Sequence, residues 1–295
     1  MNTELTTSPT CSLHPNLEQT LVIPEKMATT QSDIREFLEY HPVFTLEELR
    51  KALSIQNGGR EASDLVQYNK SMGRVGMIKE GVYYAIRPGQ SVQKAPVDPF
   101  LLASKLAPDA VLSYHTALDV LGFGHSLFNA HYCFSNRFRP ALRFRHDNFR
   151  IVVTPGKLRE KSQELFGTEK VERLGVKLVV TGKERTLIEC LEKPHYCGGF
   201  EEMYRSLEKI PFIQPDVLLK YLALREQKTL YARVGFFLEQ HREDMQIDES
   251  LFRQLAHSVP TQPVYWTPQS KGGVLVKPWN LIVREAVYER NWEER

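Results

Sequence analysis

Four cysteines in 295 residues are too few for a disulfide framework, so the fold has to rest on a packed core. An excess of either charge is also missing. The chain has 38 Lys and Arg against 36 Asp and Glu, a formal net charge of +2, so a nucleic-acid surface has to come from local clustering. No stretch approaches the ~20 apolar residues of a membrane span. The opening MNTELTTSPTCSLHPNLEQT has neither the basic start nor the apolar centre of a secretory signal. A cytoplasmic protein without membrane partners is the expectation.

Catalytic signatures are scarce too. There is no P-loop, no GxSxG and no HExxH. A restriction-type nuclease needs a carboxylate and then Glu-x-Lys on a strand to hold a divalent ion. The Glu-x-Lys found, Glu226-Gln227-Lys228, falls between expected helices. The triplet HYC occurs twice, at His131-Tyr132-Cys133 and His195-Tyr196-Cys197, with Cys190 nearby. Without CxxC or HxxxH spacing these read as buried thiols rather than a zinc site. No catalytic residue, metal or cofactor is expected.

What is present is ordinary globular composition, 42% hydrophobic and 25% charged, and room for about two domains. Residues 1–28 are rich in Thr, Ser and Pro without a sustained period and read as a mobile tail. From Gln31 the pattern becomes helical through Ile34, Phe37 and Leu38, and Pro42 ends that helix. In FTLEELRKAL, Thr45 and Glu48 have capping-box spacing, with Phe44 and Leu49 as a hydrophobic staple. A third helix spans Arg60 to Met72, with Leu65, Tyr68 and Met72 expected inward and Gly73 as its C-terminal cap. GRVGMIKEGVYYAI then reads as a hairpin turning at Glu80-Gly81. Three helices and a hairpin, in that order, form a winged helix-turn-helix over residues 29–90.

RPGQSVQKAP, Arg87 to Pro96, reads as a linker. Residues 97–290 mix the two element types: a helix over PFLLASKLA, a strand near Val111, a helix over YHTALDVLGF, and strands near His131, Leu142, Phe149 and Val176. Another helix follows at TGKERTLIECL, with Thr181 and Glu184 spaced as a second capping box. Helices then run to about His257, and strands near Val264, Val274 and Leu281 close the chain. The fold class expected is α+β.

Two groups of residues are candidates for contact with nucleic acid. On the third helix and the wing they are Arg60, Ser63, Asp64, Gln67, Lys70, Arg74 and Lys79. Arg and Gln can pair bidentately with guanine and adenine, and the wing cations can meet phosphates. Residues 31–90 nevertheless hold eight cationic and eight acidic side chains, so a solvated polar surface stays open as the other reading. The second group is Arg137, Arg139, Arg143, Arg145 and Arg150, set against Asp147 alone within fifteen residues. Strand alternation places Arg143 and Arg145 on one face, with Arg150 returning beside them. Phosphate contact and salt bridges to acidic helices, such as the one carrying Glu201-Glu202, are both open.

The chain resembles the AbiEi-like antitoxins of AbiE-type (type IV) toxin–antitoxin modules, which act in phage defence. The resemblance is carried by Gly73, Val75, Ile78, Gly81, Val82 and Tyr83 of the hairpin, SYHTALDVLGF (Ser113 to Phe123), VVTGKERTLIECL (Val179 to Leu191) and KPWNLIV (Lys277 to Val283). It implies a bacterial winged-helix repressor joined to an α+β antitoxin domain. Such a protein binds inverted repeats in its own promoter, which leaves a dimer or cooperative binding on DNA open. It counters a nucleotidyltransferase-like toxin without forming a tight complex. The segment NGGREASDLVQYNKS is less basic than that pattern leads one to expect. The alternative is a nucleic-acid-processing enzyme or RNA-binding factor that uses the winged helix to dock.

Overall fold

Thr45 sets the geometry of the N-terminal module. Its Oγ1 accepts from the Glu48 backbone N–H at 3.2 Å, and the Glu48 carboxylate accepts from the Thr45 N–H at 2.8 Å. This closes the expected capping box at the start of α2 (Leu46–Ala52). The computed structural model describes residues 25–55, 60–267 and 272–292. Before α2 come α1 (Glu25–Tyr40) and β1 (Val43–Thr45); after it come α3 (Arg60–Ser71), β2 (Val75–Lys79) and β3 (Val82–Ala85). The helix α1 starts at Glu25, so residues 25–28, expected in the tail, are helical. The rest of that tail, residues 1–24, lies outside the described residues.

The strands form an antiparallel sheet in the order β1-β3-β2. The hairpin turns at Glu80-Gly81, where Gly81 takes the left-handed conformation the turn needs (φ 78°). Both faces of this small sheet are covered. Phe44, Val75 and Tyr83 pack against Ile34, Phe37, Leu49, Leu65 and Val66 of the helices. Val43, Val82 and Tyr84 belong to a second core with Leu101, Leu102, Cys133 and Phe149. Gly76 makes this possible, because a Cβ there would stand 2.0 Å from Cζ of Tyr84.

The segment expected as a linker is pinned. The Tyr84 hydroxyl donates to the Val92 carbonyl at 2.7 Å, and Ala95 is fully buried. An ion pair from Lys105 to Glu48 adds a second tie. Next come α4 (Pro99–Ser104), β4 (Val111–Leu112), α5 (Tyr114–Val120), β5 (Ala130–Ser135), β6 (Leu142–Phe144), β7 (Asp147–Val153), α6 (Gly156–Glu160), β8 (Thr168–Arg173) and β9 (Val176–Thr181). Six of these strands form a mixed sheet in the order β6-β7-β5-β4-β9-β8, parallel only at β5/β7 and β4/β9. Strand alternation divides it cleanly. Leu112, Cys133, Phe149 and Ile151 face the core shared with the N-terminal sheet, while Val111, Phe134 and Val152 face a helical core. Sequence reading misses β8, whose TEKVER is a charged edge strand without an apolar rhythm.

The helical core holds α7 (Lys183–Glu192), α8 (Phe200–Leu207), α9 (Pro215–Arg225), α10 (Lys228–Gln240) and α11 (Glu249–Ala256). A small sheet of β10 (Val264–Tyr265), β11 (Val274–Val276) and β12 (Leu281–Val283), then α12 (Glu285–Tyr288), completes it. The protein is thus mixed α+β. Among the described residues no helix is long and apolar enough to cross a membrane.

The second expected capping box does not form. Thr181 ends β9 and bonds Thr186 through its hydroxyl, Gly182 takes the cap position, and Glu184 accepts from the Gln214 N–H at 2.9 Å. A long-range partner wins over the local one because α7 is buried on nearly all sides.

In the first turn of α7 is Arg185, with no exposed surface. Its Nε donates to Glu189 at 2.8 Å, and its Nη1 donates to the carbonyls of Glu164 and Phe166 at 2.7 and 2.8 Å. Tyr221 of α9 donates to the same Glu189 oxygen at 2.6 Å. Burial works against the Arg185 charge, but Glu189 outweighs it and the pKa is raised. Glu189→Gln leaves that guanidinium without its counterion and should cost about 3–5 kcal/mol in urea unfolding. The exposed pair Glu201–Arg205 serves as control, with Glu201→Gln costing no more than about 1 kcal/mol. Equal losses at the two positions would contradict the assignment.

Candidate nucleic-acid interface

The orientation of α3 follows from its buried stripe. Ala62, Leu65, Val66 and Asn69 are sealed inward, a spacing of i, i+3, i+4 and i+7. Asn69 belongs there because its Nδ2 donates back to the Leu65 carbonyl at 2.9 Å. This corrects the sequence expectation, which counted Tyr68 and Met72 as core. Both are exposed, Met72 by 52%. A polar residue whose amide N–H bonds back to its own helix took the place that hydropathy gave to the aromatic.

The opposite side carries Asp64, Gln67, Tyr68 and Ser71, all exposed, again at helical spacing. Ser63 and Lys70 are half-buried flanks. Arg60 is the first residue of α3, and its side chain lies outside the described residues. At the hairpin, Arg74 and Lys79 are half-buried. Burial lowers the Lys79 pKa, and the positive charge of Arg139 adds to the effect. The hairpin tip and the arginine-rich segment are therefore neighbours, a proximity that separation along the chain conceals.

That segment splits into three parts. The loop between β5 and β6 exposes Arg137 and Phe138, the latter by 77%. It is anchored by Asp109, which accepts from the Ser135 hydroxyl and the Asn136 N–H, each at 2.7 Å. Arg139 is half-buried beside Asp109 and Lys79.

Arg143 and Arg150 form the second part. Arg143 pairs with Asn148 across the β6–β7 hairpin, so both arginines lie on one face. Leu142 and Phe144 pack toward the core, as alternation predicts. The Arg150 guanidinium sits 5.9 Å from the Tyr196 ring centre. Tyr196 in turn lies 4.8 Å from Tyr132. The two HYC triplets thus meet through their tyrosines, while Cys133 and Cys197 are buried in different cores. Burial raises the Cys133 pKa to about 12. His131 bonds Asp147 at 3.1 Å. His195 titrates low because of partial burial and the charges of Lys193 and Arg150. Among the described residues no His, Cys, Asp and Glu group is arranged to hold a metal ion.

Arg145 is the third part and departs from the expectation. It occupies the left-handed turn position (φ 56°), which points it away from Arg143. Its Nη1 donates to the Ala95 carbonyl at 2.6 Å and its Nη2 to the Val92 carbonyl at 3.1 Å, and it lies over Tyr84 and Phe144. It is a fastening for the 87–96 segment rather than a phosphate contact. Among the described residues none of the five arginines forms an ion pair. Glu201 and Glu202 are engaged by Arg205 and by His115.

One cluster has catalytic residue types. His115, fully buried, bonds Asp119 and Glu202 at 3.0 Å each, and Ser126 donates to Glu202 at 2.7 Å. The serine meets the carboxylate and not the imidazole, so this cluster holds no Ser–His pair.

No family model and no curated protein matches the chain. The crystal structure of the RV2827C protein from Mycobacterium tuberculosis is similar over 88% of this chain and 92% of that one, with a TM-score of 0.54 and 18% identity. That likeness is one of fold.

Two outcomes follow for stability. Arg145→Ala removes charged hydrogen bonds to two carbonyls and should cost about 1.5–3 kcal/mol by denaturant unfolding. Arg143→Ala and Arg150→Ala should stay within about 0.5 kcal/mol, and the reverse ranking would refute the division. Burial opposes the His115 charge, but Asp119 and Glu202 outweigh it and the pKa is raised. Its stabilisation is therefore complete below the unfolded histidine value of about 6.5 and is lost as pH rises through the higher folded value. Thermal unfolding across that range should show a decline that His115→Gln flattens.

Proposed function

We propose that this chain is a DNA-binding repressor and antitoxin of the AbiEi-like kind, with residues 29–90 as a winged helix-turn-helix and 97–290 as the antitoxin part. The observation that carries the reading is the free polar stripe of α3, Asp64, Gln67, Tyr68 and Ser71, on a helix whose other side is sealed. It follows a capped helix and precedes a hairpin, which is the placement of a recognition helix in the major groove. Gln67 can read adenine through two hydrogen bonds.

The module carries eight cations and eight acids over residues 31–90, so counterion release from it is small. Lys79, Arg137 and Arg139 beside the hairpin tip, with Arg143 and Arg150 farther along, supply the phosphate contacts in this reading. The partners proposed are operator DNA with inverted repeats and a nucleotidyltransferase-like toxin, countered without a tight complex. An RNA-binding role is the second reading. It is favoured by Phe138, whose exposed ring between two arginines is a stacking platform for unpaired bases.

Gel shifts on the chain's own promoter, run across salt concentrations, test the proposal. Gln67→Ala should cost about 1–3 kcal/mol on the preferred site and relax its sequence choice. Arg137→Ala and Arg143→Ala should each lower the slope of log K against log salt by roughly 0.9, leaving sequence preference intact. An operator footprint untouched by the double change Arg60→Ala and Gln67→Ala would overturn the recognition helix. Tighter binding to single-stranded RNA than to promoter DNA would favour the second reading.

A further inference from the structure

Beside the paired tyrosines of the HYC triplets the surface opens into a cavity of about 200 Å³. Tyr114, Phe134, Lys157, Glu192, Lys193 and Arg225 are among its walls. The cations come from three places: the start of α6, the end of α7 and the last residue of α9. They converge although nothing in the chain order brings them together.

The charges do not cancel. Glu192 is committed to Arg225, whose Nη2 reaches both carboxylate oxygens at 2.7 and 2.8 Å. Lys157 shares its charge with the exposed Glu160 and Glu226, at 3.1 and 3.2 Å. Lys193 has no carboxylate within salt-bridge distance among the described residues and leans over Tyr196 instead, 5.7 Å from the ring centre. Arg225 is 3% exposed, and its Nη1 is buried with no hydrogen-bond partner. A buried guanidinium N–H without an acceptor leaves part of the Arg225 charge uncompensated. Backbone strain marks the same place. Tyr114, not a glycine, is held at φ 55°, and such strain concentrates at ligand sites.

We propose that this cavity binds the phosphomonoester group of a nucleotide, without catalysis. Two ammonium groups and a guanidinium approaching from separate elements suit a tetrahedral dianion better than a planar carboxylate. The adjoining Tyr132–Tyr196 pair, flanked by Arg150, offers a surface on which a base can stack. The inference goes beyond operator binding and needs no duplex DNA, so the two can fail separately.

Isothermal titration of the full chain at fixed ionic strength, with deoxyadenosine monophosphate, inorganic phosphate and deoxyadenosine, tests it. Saturable binding is expected from the two phosphates and none from the nucleoside. Lys193→Ala and, separately, Lys157→Ala should each weaken the phosphates by about tenfold, with unchanged melting temperature showing that the variants fold. Tighter binding of the nucleotide than of free phosphate identifies a nucleotide as the source. Equal affinity identifies free phosphate, which retains the anion site and overturns the base-stacking half of the proposal. Absence of saturable binding, equal binding of the nucleoside, or indifference to both lysine changes would overturn the whole of it.

Discussion

The second half of the chain is organised around the buried ion pair of Arg185 and Glu189. A guanidinium with no exposed surface is tolerated only where acceptors surround it. Here those acceptors are Glu189 on its own helix and two carbonyls of the loop before β8, and Glu189 in turn accepts from the hydroxyl of Tyr221 on α9. These groups come from different elements, so holding Arg185 fixes the loop, α7 and α9 relative to one another. The next turn of α7 repeats the device. Glu192 holds Arg225, and Arg233 of α10 donates to the Glu192 carbonyl and to that of Trp266. Three arginines on three helices thus terminate on one buried helix and its neighbours. A hydrophobic core alone tolerates repacking; directional bonds to particular carbonyls tolerate less.

The N-terminal module is fixed to this body by a different mechanism. Its small sheet has no solvent face, since Tyr83 looks into the helices and Tyr84 into the larger sheet. Arg145 then fastens the connecting segment by its carbonyls. The consequence for the proposed function is geometric. A hairpin held on both faces presents its tip, Lys79, at a set position beside Arg139 and the exposed Phe138. If α3 is the recognition helix as proposed, charge placed rigidly next to it lets phosphate contacts fix the register in which base contacts are read.

The extent to which the sequence could be read followed the range of the interaction involved. The Thr45–Glu48 box, the Glu80-Gly81 turn and the alternation of Leu142 and Phe144 are local, and each is where pattern places it. Thr181 and Glu184 have the same local signature yet do not cap, because Thr186 and Gln214 are better partners in the folded protein. Tyr68 and Asn69 exchange their expected places because the Asn69 amide N–H finds an acceptor on its own helix backbone. Arg145 sits among five similar arginines in sequence, and only the turn conformation at that position separates its task from theirs. The cavity between α6, α7 and α9 left no local trace, since its cations are distant in the chain and the pairing of Arg225 with Glu192 is one between separate helices.

In the proposed DNA-binding role, a neutral reading head and a basic body would divide the work of recognition in a definite way. Were the cations on α3 itself, non-specific affinity would rise together with specific affinity, and the ratio between the two would gain little. With acids and amides along α3 and arginines set on the neighbouring sheet, the two terms come from different surfaces. Asp64 and the exposed Glu61 repel phosphate wherever the helix is misplaced, whereas Gln67 is rewarded only against a matching base edge. The arginines would then hold the duplex near without choosing its sequence. Specificity then rests on rejecting wrong registers as much as on gripping the right one. That arrangement requires the rigid join between module and body which Tyr84 and Arg145 supply, because a head on a loose linker would sample wrong registers at little cost.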